Sequence, residues 1–389
     1  MDAKKLKSFM DQPHGALAFS GDPITYGHIN LIERALPLFS KVYIAIGENP
    51  DKKHTFTLAE RMEMTKKVLE DYPKIEVVSF SGMLPDFAYT HDVKYLVRGL
   101  RSSSDFEYEQ QLKKIYASQG KKLDLVYLPA CVDLDHISSS VSKGVEKEKG
   151  DISSYVPLLV KQALEEKVSG QYIVGVTGGM GCGKSTVGKL LENKSTSELP
   201  VHNIDLDDMV KSLYFDKTLP VHDQVVDSVV DRFGDGVLDS SGEIDIKKLS
   251  AIIFSDSNAR EDLEKLVYPP LDVVYRQSLY GKKGLILVNA ALIVDKNLLH
   301  MCNNNVINVV GDMDIRRDRV VAKRGYTKEQ FEARIKEQLS DSDRSTKIGA
   351  AINDHKTGFR YDLDNSGSLV DLERNVDLCF NFLKTQFNW

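Results

Sequence analysis

Gly178, Gly183, Lys184 and Ser185 stand in the spacing G-x-x-x-x-G-K-[ST], directly after the apolar run "QYIVGVT". Between a strand and a helix, that spacing makes a phosphate-binding loop. Glycines let backbone N–H groups converge on phosphate oxygens, and the helix N-terminus adds the positive end of its dipole. Gly179, Gly181 and Thr186 belong to the same turn. Lys184 is placed to bridge the β- and γ-phosphates of ATP, and the Ser185 hydroxyl to hold Mg²⁺, directly or through a water. A carboxylate source follows in "NIDLDDM". Asp205 and Asp207, at the carboxyl end of "VHNID", offer a general base for an attacking hydroxyl and an outer ligand for the metal. The plainer alternative is that Asp207 or Asp208 only caps the next helix. Further on, "DIRRDRVVAKRGYTKEQFEARIKEQ" carries Arg319, Lys323 and Arg334. Most such basic runs are solvated helix faces, but a cationic helical hairpin also suits a lid closing over polyanionic substrates.

The first half holds a second candidate centre of a different design. In "FSGDPITYGHINLIERA", Ser20, Thr25, Gly27 and His28 fall at a strand-to-helix junction, with His28 near the positive helix end. A single histidine there is as readily a cap as a functional group. Two basic residues of "RGLR", Arg98 and Arg101, end another strand and precede "DFEYE".

Positioning these groups requires alternating elements. In the first half, "ALAFS", "KVYIAIG", "KIEVVSF", "KYLVRGL" and "LDLVYLP" read as strands, separated by helical patterns such as "GHINLIERALPLF". Thr57 and Glu60 have capping-box spacing, as have Thr327 and Gln330. The second half repeats the alternation with "QYIVGVT", "VHNID", "GLILVNAAL" and "NNVINVVG" as strands, and "FGDGVLDSSGEID" as a surface loop or hairpin. Strand–helix alternation predicts parallel sheets covered on both faces. The fold class is therefore α/β: two tandem three-layer domains, the second opening on the P-loop. The expected division is an N-terminal extension over 1–14, a first domain over 15–168 and a second over 171–389, joined by a short linker at Ser169-Gly170.

Composition bounds the partners. The 389 residues carry a net charge of −6, which argues against a global electrostatic grip on nucleic acid or an anionic membrane. No nucleic-acid or membrane partner is expected, and the oligomeric state is not legible. The four cysteines form no C-x-x-C pair, which suits a reducing compartment. The leader has no apolar h-region and no run reaches membrane-span length, so the expected location is the cytoplasm. Cys182, inside the phosphate loop, is either a reactive thiol or a small loop-filling residue.

"VGVTGGMGCGKSTV", "IDLDDMVKSLY", "FGDGVLDSSGEIDIKKLSAIIFSDSNAREDLEKLVYPPL" and "YDLDNSGSLVDLE" together resemble dephospho-CoA kinase over roughly residues 171 to 385. The resemblance implies that Asp207 activates the ribose 3′-hydroxyl of dephospho-CoA and that Lys184 and Ser185 hold ATP and Mg²⁺. It makes Arg319, Lys323 and Arg334 lid candidates and leaves Asp205 on the substrate side. The chain departs from that family at Tyr268-Pro269-Pro270, where His-Pro-Leu is usual. It departs again at "VNAALIVD", where Asp-x-Pro-Leu-Leu-x-Glu is common, and it has extra residues around "NDHKTGFR".

"DPITYGH" resembles the T/H-x-G-H motif of nucleotidyltransferases, which implies a Rossmann-like nucleotidyltransferase fold ahead of the P-loop kinase fold. "ENPDKKHTFTLAERMEM", "YLVRGLRSSSDFEYEQQL" and "HISSSVSKGV" resemble phosphopantetheine adenylyltransferase over residues 15 to 168. By that resemblance His28, Ser20, Thr25 and Gly27 serve the α-phosphate, and Lys52 and Arg98 bind the phosphate of 4′-phosphopantetheine. Arg101, Asp105, Glu109, Ser138, Ser139 and Ser140 serve ATP. Two local departures stand out: Phe19-Ser20-Gly21-Asp22 replaces G-[ST]-F-D, and "DLDHISSS" lacks the usual aromatic. The order of the halves resembles that of bifunctional coenzyme A synthases, in which the first product is the second substrate. In the alternative, one half is catalytic and the other a nucleotide-binding regulatory module.

Overall fold

The computed structural model describes residues 12–48, 52–119 and 123–389, without the side chains of residues 254, 255, 323 and 324. The chain divides into two units, Met1–Ser169 and Gly170–Trp389. Each is built on a five-stranded sheet whose pairings are all parallel.

The first sheet comprises β1 (His14–Phe19), β2 (Lys41–Gly47), β3 (Ile75–Phe80), β4 (Val93–Leu100) and β5 (Asp124–Pro129). Its order is β3-β2-β1-β4-β5, so the chain reverses direction across the sheet between β1 and β4. Ligands of such sheets gather at the carboxyl ends of the strands beside that reversal. The apolar run of β2 shows why both faces are covered. Val42, Ile44 and Ile46 join one core, while Tyr43 and Ala45 join the other. Helices α1 (Tyr26–Ala35), α2 (Leu58–Val68), α3 (Leu84–Thr90), α4 (Ser103–Ser118), α5 (Ser139–Lys147) and α6 (Leu158–Leu164) supply the layers. Strand β1 opens at His14, inside the stretch read as an extension, and residues 1–11 of that stretch lie outside the described residues. At the other end a π-helical turn over Glu165–Ser169 continues α6. The stretch read as a linker is thus helical up to Gly170, whose φ of +65° stops it.

The second sheet holds β6 (Gln171–Thr177), β7 (Val201–Asp205), β8 (Gly284–Asn289), β9 (Asn305–Val310) and β10 (Phe359–Asp364) in the order β10-β9-β6-β8-β7. The helices are α7 (Lys184–Glu192), α8 (Leu206–Phe215), α9 (His222–Phe233), α10 (Ile246–Ser255), α11 (Ser257–Leu279), α12 (Met313–Arg324), α13 (Lys328–Lys336), α14 (Asp341–His355) and α15 (Leu369–Gln386). Residues of α8 to α11, among them Leu213, Val229, Leu249 and Val267, enclose a core of their own. The segment 234–245 is a tight turn closed by an antiparallel Leu238–Ile244 bridge. Strand β8 ends at Asn289, short of the "AAL" that extends its apolar run, and α11 runs through Pro269 and Pro270. Among the described residues, no helix is long and apolar enough to cross a membrane.

Candidate active sites

In the first unit a cavity of about 400 Å³ opens at the ends of β1 and β4, walled among others by Gly27, His28, Arg98, Arg101, Asp105 and Glu109. His28 is the third residue of α1. Its Nδ1 lies 3.1 Å from the Thr25 backbone N–H, which donates to it, and 2.9 Å from Thr25 Oγ1. A ring nitrogen that accepts a backbone N–H carries no proton, so the neutral ring bears its proton on Nε2. That leaves Nε2–H as a hydrogen-bond donor for an anion in the cavity. Burial, reinforced by the Arg101 charge, lowers the imidazolium pKa from 6.5 to about 4. The Phe19 ring stacks on the imidazole at 4.5 Å between centroids. The exchanged phenylalanine and glycine of "FSGD" therefore put an aromatic face under the histidine, while Gly21 takes a left-handed φ of +60°.

The lowered pKa has a defined sign. The neutral form is favoured by folding, so its contribution to stability is present above pH 6.5 and is lost as pH falls from 6.5 toward about 4. The kcat/KM of the reaction at this cavity is accordingly expected to show no inflection near pH 6.5 from His28. A pH profile of wild type against His28→Gln checks this, and an inflection near 6.5 present only in wild type contradicts it.

Arg98 reaches from β4 into a two-pronged pair with Glu109, at 2.7 and 2.6 Å, and also donates to the Ala18 carbonyl at 3.2 Å. Glu109 thus acts on Arg98 first. Asp105 accepts from the Arg101 backbone N–H at 3.0 Å, and Arg101 Nη2 donates to the Ile137 carbonyl at 2.8 Å. That carbonyl precedes Ser138, which caps α5 by accepting from Val141 N–H at 3.2 Å. Ser139 Oγ donates to the Pro23 carbonyl at 2.7 Å, tying α5 to the loop after β1, whereas Ser140 is exposed. Ser20, Lys52 and the three serines do not line the cavity, and Lys52 is exposed.

Two residues that the sequence reading passed over hold this loop region. Asp22 is 3% exposed and accepts from the backbone N–H groups of Thr55 and Phe56 and from Lys143 Nζ at 2.7 Å. Burial opposes its ionisation, but Lys143 and the two amides outweigh it and hold the carboxyl below its usual range. Asp22 thereby fixes the segment that follows Lys52. Arg61, 2% exposed, donates to the carbonyls of Ser20 and Gly47 at 2.5 and 2.9 Å, bracing the ends of β1 and β2. A signal for Arg61 existed, since it shares a buried helix stripe with Met64 and Thr65 at i+3 and i+4.

In the second unit the loop between β6 and α7 is held in left-handed φ at Gly181 and Gly183, +77° and +94°. Lys184 Nζ donates to the Gly178 carbonyl at 3.0 Å, and Ser185 Oγ donates to Asp205 Oδ2 at 3.2 Å. Asp205 also caps α8, accepting from the Asp207 and Asp208 backbone N–H groups, so the cap is Asp205 and neither of the other two. Asp207 is exposed in the first turn of α8, within electrostatic reach of Lys184 and Asp205, and does not line the cavity beside the loop. Partial desolvation still pushes its carboxyl above the usual range, with Lys184 opposing and Asp205 adding to the rise. Cys182 is 1% exposed and fills the loop under Gly178, the bland reading of that thiol.

A cavity of about 400 Å³ beside the loop is walled by Gly181, Gly183, Lys184, Ser185, Thr186 and Arg319, with Asn365. Arg319 donates to the Asn365 carbonyl at 2.8 Å, and Asn365 Nδ2 donates to the Cys182 carbonyl at 2.8 Å. The guanidinium of Arg334 lies 4.9 Å from the Tyr326 ring centre, and Arg334 does not line the cavity. The Lys323 side chain lies outside the described residues.

Arg316 braces the loop from behind. It is 2% exposed, donates to the Met180 carbonyl at 2.9 Å and pairs with Asp341 at 3.0 Å. Gln338 accepts from Met180 N–H at 2.9 Å. A Cβ on Gly179 would stand 2.0 Å from Arg316 Nη2, so Gly179 is needed for close approach. Gly179→Ala is expected to cost about 1–3 kcal/mol of local stability through overpacking. Thermal unfolding and nucleotide affinity of this unit check it, with turnover at the first unit's cavity unchanged.

The residues that could hold a magnesium ion are Ser185 and Asp205, already in contact, with Asp207 nearby. Magnesium is commonly bound by one or two protein oxygens plus phosphates and waters, and this donor set fits that pattern.

Comparison with known proteins decides the affiliation. The first half is 40% identical over 149 residues to a phosphopantetheine adenylyltransferase of Petrotoga mobilis, covering 38% of this chain and 92% of the relative. A Nautilia profundicola phosphopantetheine adenylyltransferase is 43% identical over 136 residues, covering 35% of this chain and 88% of that protein. The chain belongs to the phosphopantetheine adenylyltransferase family. The cytidylyltransferase-like family model matches residues 20–144, and the dephospho-CoA kinase model matches residues 172–357. A solved dephospho-CoA kinase from Campylobacter jejuni, at 18% identity and a TM-score of 0.35, covers 55% of this chain and 97% of that one. The family model over residues 172–357 makes the second half a dephospho-CoA kinase domain, joined in this chain to the phosphopantetheine adenylyltransferase domain. The chain is a bifunctional transferase of the last two steps of coenzyme A biosynthesis, using ATP, phosphopantetheine and dephospho-CoA.

Proposed function

We propose that the two cavities divide the work by which phosphorus atom is attacked. In the first unit a phosphate oxygen of 4′-phosphopantetheine attacks the ATP α-phosphorus, and the bond to the β-phosphate oxygen breaks to release pyrophosphate. No protein nucleophile is needed, so the residues orient and stabilise charge. His28 donates through Nε2–H to the α-phosphate, supported by Thr25 and the Gly27 amide. Arg98, held by Glu109 until substrate arrives, receives the phosphopantetheine phosphate with Lys52. Arg101, Asp105 and the Ser138–Ser140 turn form the ATP side, with Ser20 at the junction. The tautomer of His28 fixed by the Thr25 N–H carries this reading.

In the second unit the 3′-hydroxyl of dephospho-CoA loses its proton to Asp207 and attacks the γ-phosphorus, and ADP leaves. Lys184 exchanges the Gly178 carbonyl for the β- and γ-phosphates. Ser185 and Asp205 would hold a Mg²⁺ ion, which would neutralise phosphate charge when bound. Arg319, Lys323 and Arg334 belong to the basic hairpin of α12 and α13 over the phosphates. The protein works in the cytoplasm, a reading supported by four free cysteines.

Isotope fate tests the division. Label from [α-³²P]ATP should enter dephospho-CoA and CoA alike, and label from [γ-³²P]ATP should appear in CoA and never in dephospho-CoA. Transfer of γ-label to phosphopantetheine would overturn it.

A further inference from the structure

Asn289 closes β8, the strand between β6 and β7. Its Cα is in register with Val176 on one side and Asp205 on the other. Alternation along the strand puts Leu285, Leu287 and Asn289 on one face of the sheet. Leu285 and Leu287 pack in one core with Val187 and Leu191 of α7. Asn289 therefore stands under the start of that helix, on the same face as the Asp205 carboxylate that meets Ser185. It does not line the cavity on the Arg319 side. It is 1% exposed, and its Nδ2 has no hydrogen-bond partner. A buried amide donor without an acceptor is costly and rare in folded proteins, and at a ligand edge it marks an acceptor that arrives with the ligand.

In phosphate-loop enzymes an aspartate commonly holds the magnesium side of this region. Here the residue beside the loop strand is a neutral amide. We propose that Asn289 is a further phosphate-binding residue of the kinase site, its Nδ2 donating to an oxygen of the ATP triphosphate. Asp205 is then left as the carboxylate on the metal side. This rests on the kinase reading of the second unit. A donor of no charge favours the triphosphate with or without metal. An aspartate in its place would repel the bare triphosphate and need the cation between them.

Hydrogen exchange of the peptide 178–187, followed during ATP titration in Mg²⁺ and in EDTA, reads this site separately from the other ATP site. Asn289→Leu, which removes the donor and leaves no orphaned amide, should raise the half-saturating ATP concentration about tenfold in both conditions. Asn289→Asp keeps the shape and decides the matter should the leucine variant fail to fold. Its half-saturating ATP should rise tenfold or more in EDTA and less than threefold in Mg²⁺. Half-saturation within twofold of wild type for Leu, or equal shifts in EDTA and Mg²⁺ for Asp, overturns the assignment. Wild-type protein that protects this peptide with ATP but does not phosphorylate dephospho-CoA would instead sink the kinase reading and leave the ATP contact standing.

Discussion

Dephospho-CoA accumulates and CoA does not when Asp207 is replaced by asparagine. The loss expected in kinase kcat is about 10²–10⁴-fold, the usual contribution of a positioned general base. Asparagine keeps the size of the side chain, and the helix start stays intact because the cap is Asp205. What disappears is the carboxylate beside Lys184 whose proton affinity is already raised above the ordinary aspartate range. A base with a raised pKa drives proton abstraction better at neutral pH than one that holds its negative charge cheaply. Asp205→Asn makes the contrast. Asparagine caps helices about as well as aspartate, so α8 should hold. Its loss should appear as a higher Mg²⁺ requirement, because the group touching Ser185 has lost its charge. Separate kcat and Mg²⁺ titrations for the two variants distinguish base from metal side.

His28→Ala is expected to lower adenylyl transfer by about 10²–10³-fold, the cost of one preorganised donor to a charged transition state. Dephospho-CoA supplied directly should still be phosphorylated at the wild-type rate. The effect belongs to Nε2–H, because Nδ1 is occupied by the Thr25 N–H. Glutamine offers an amide donor but does not reproduce the ring stacked on Phe19, so His28→Gln should recover only part of the loss. Pyrophosphate release with phosphopantetheine as acceptor measures both variants. Equal rates for His28→Ala and wild type would remove His28 from the chemistry.

Features written in contiguous residues were legible. The loop from Gly178 to Thr186 declares itself because strand, glycines, lysine and serine are all local, and the caps at Thr57 and Thr327 followed from a three-residue spacing. Among the described residues, nine of the ten strands carry apolar runs that the reading caught. The tenth, Phe359–Asp364, alternates with Arg360, Asp362 and Asp364 at the sheet edge, where Leu363 alone is buried. That alternation is the pattern of a half-buried strand, but it holds no continuous apolar run like those of the other nine, and the reading left it unassigned. The braces were not legible for a different reason. Arg316 meets Met180 across 136 residues and Asn365 meets Cys182 across 183. A buried arginine in a basic run looks like the solvated ones until the fold brings a carbonyl and Asp341 to it. Asp22 was hidden similarly, its partners Phe56 and Lys143 being 34 and 121 residues away.

The most direct test of the account is mass spectrometry of the products formed by purified protein from 4′-phosphopantetheine, excess ATP and Mg²⁺. The account predicts CoA, with dephospho-CoA as its transient precursor. Dephospho-CoA that accumulates without conversion would contradict the kinase half, and the absence of any adenylated product would contradict the first half.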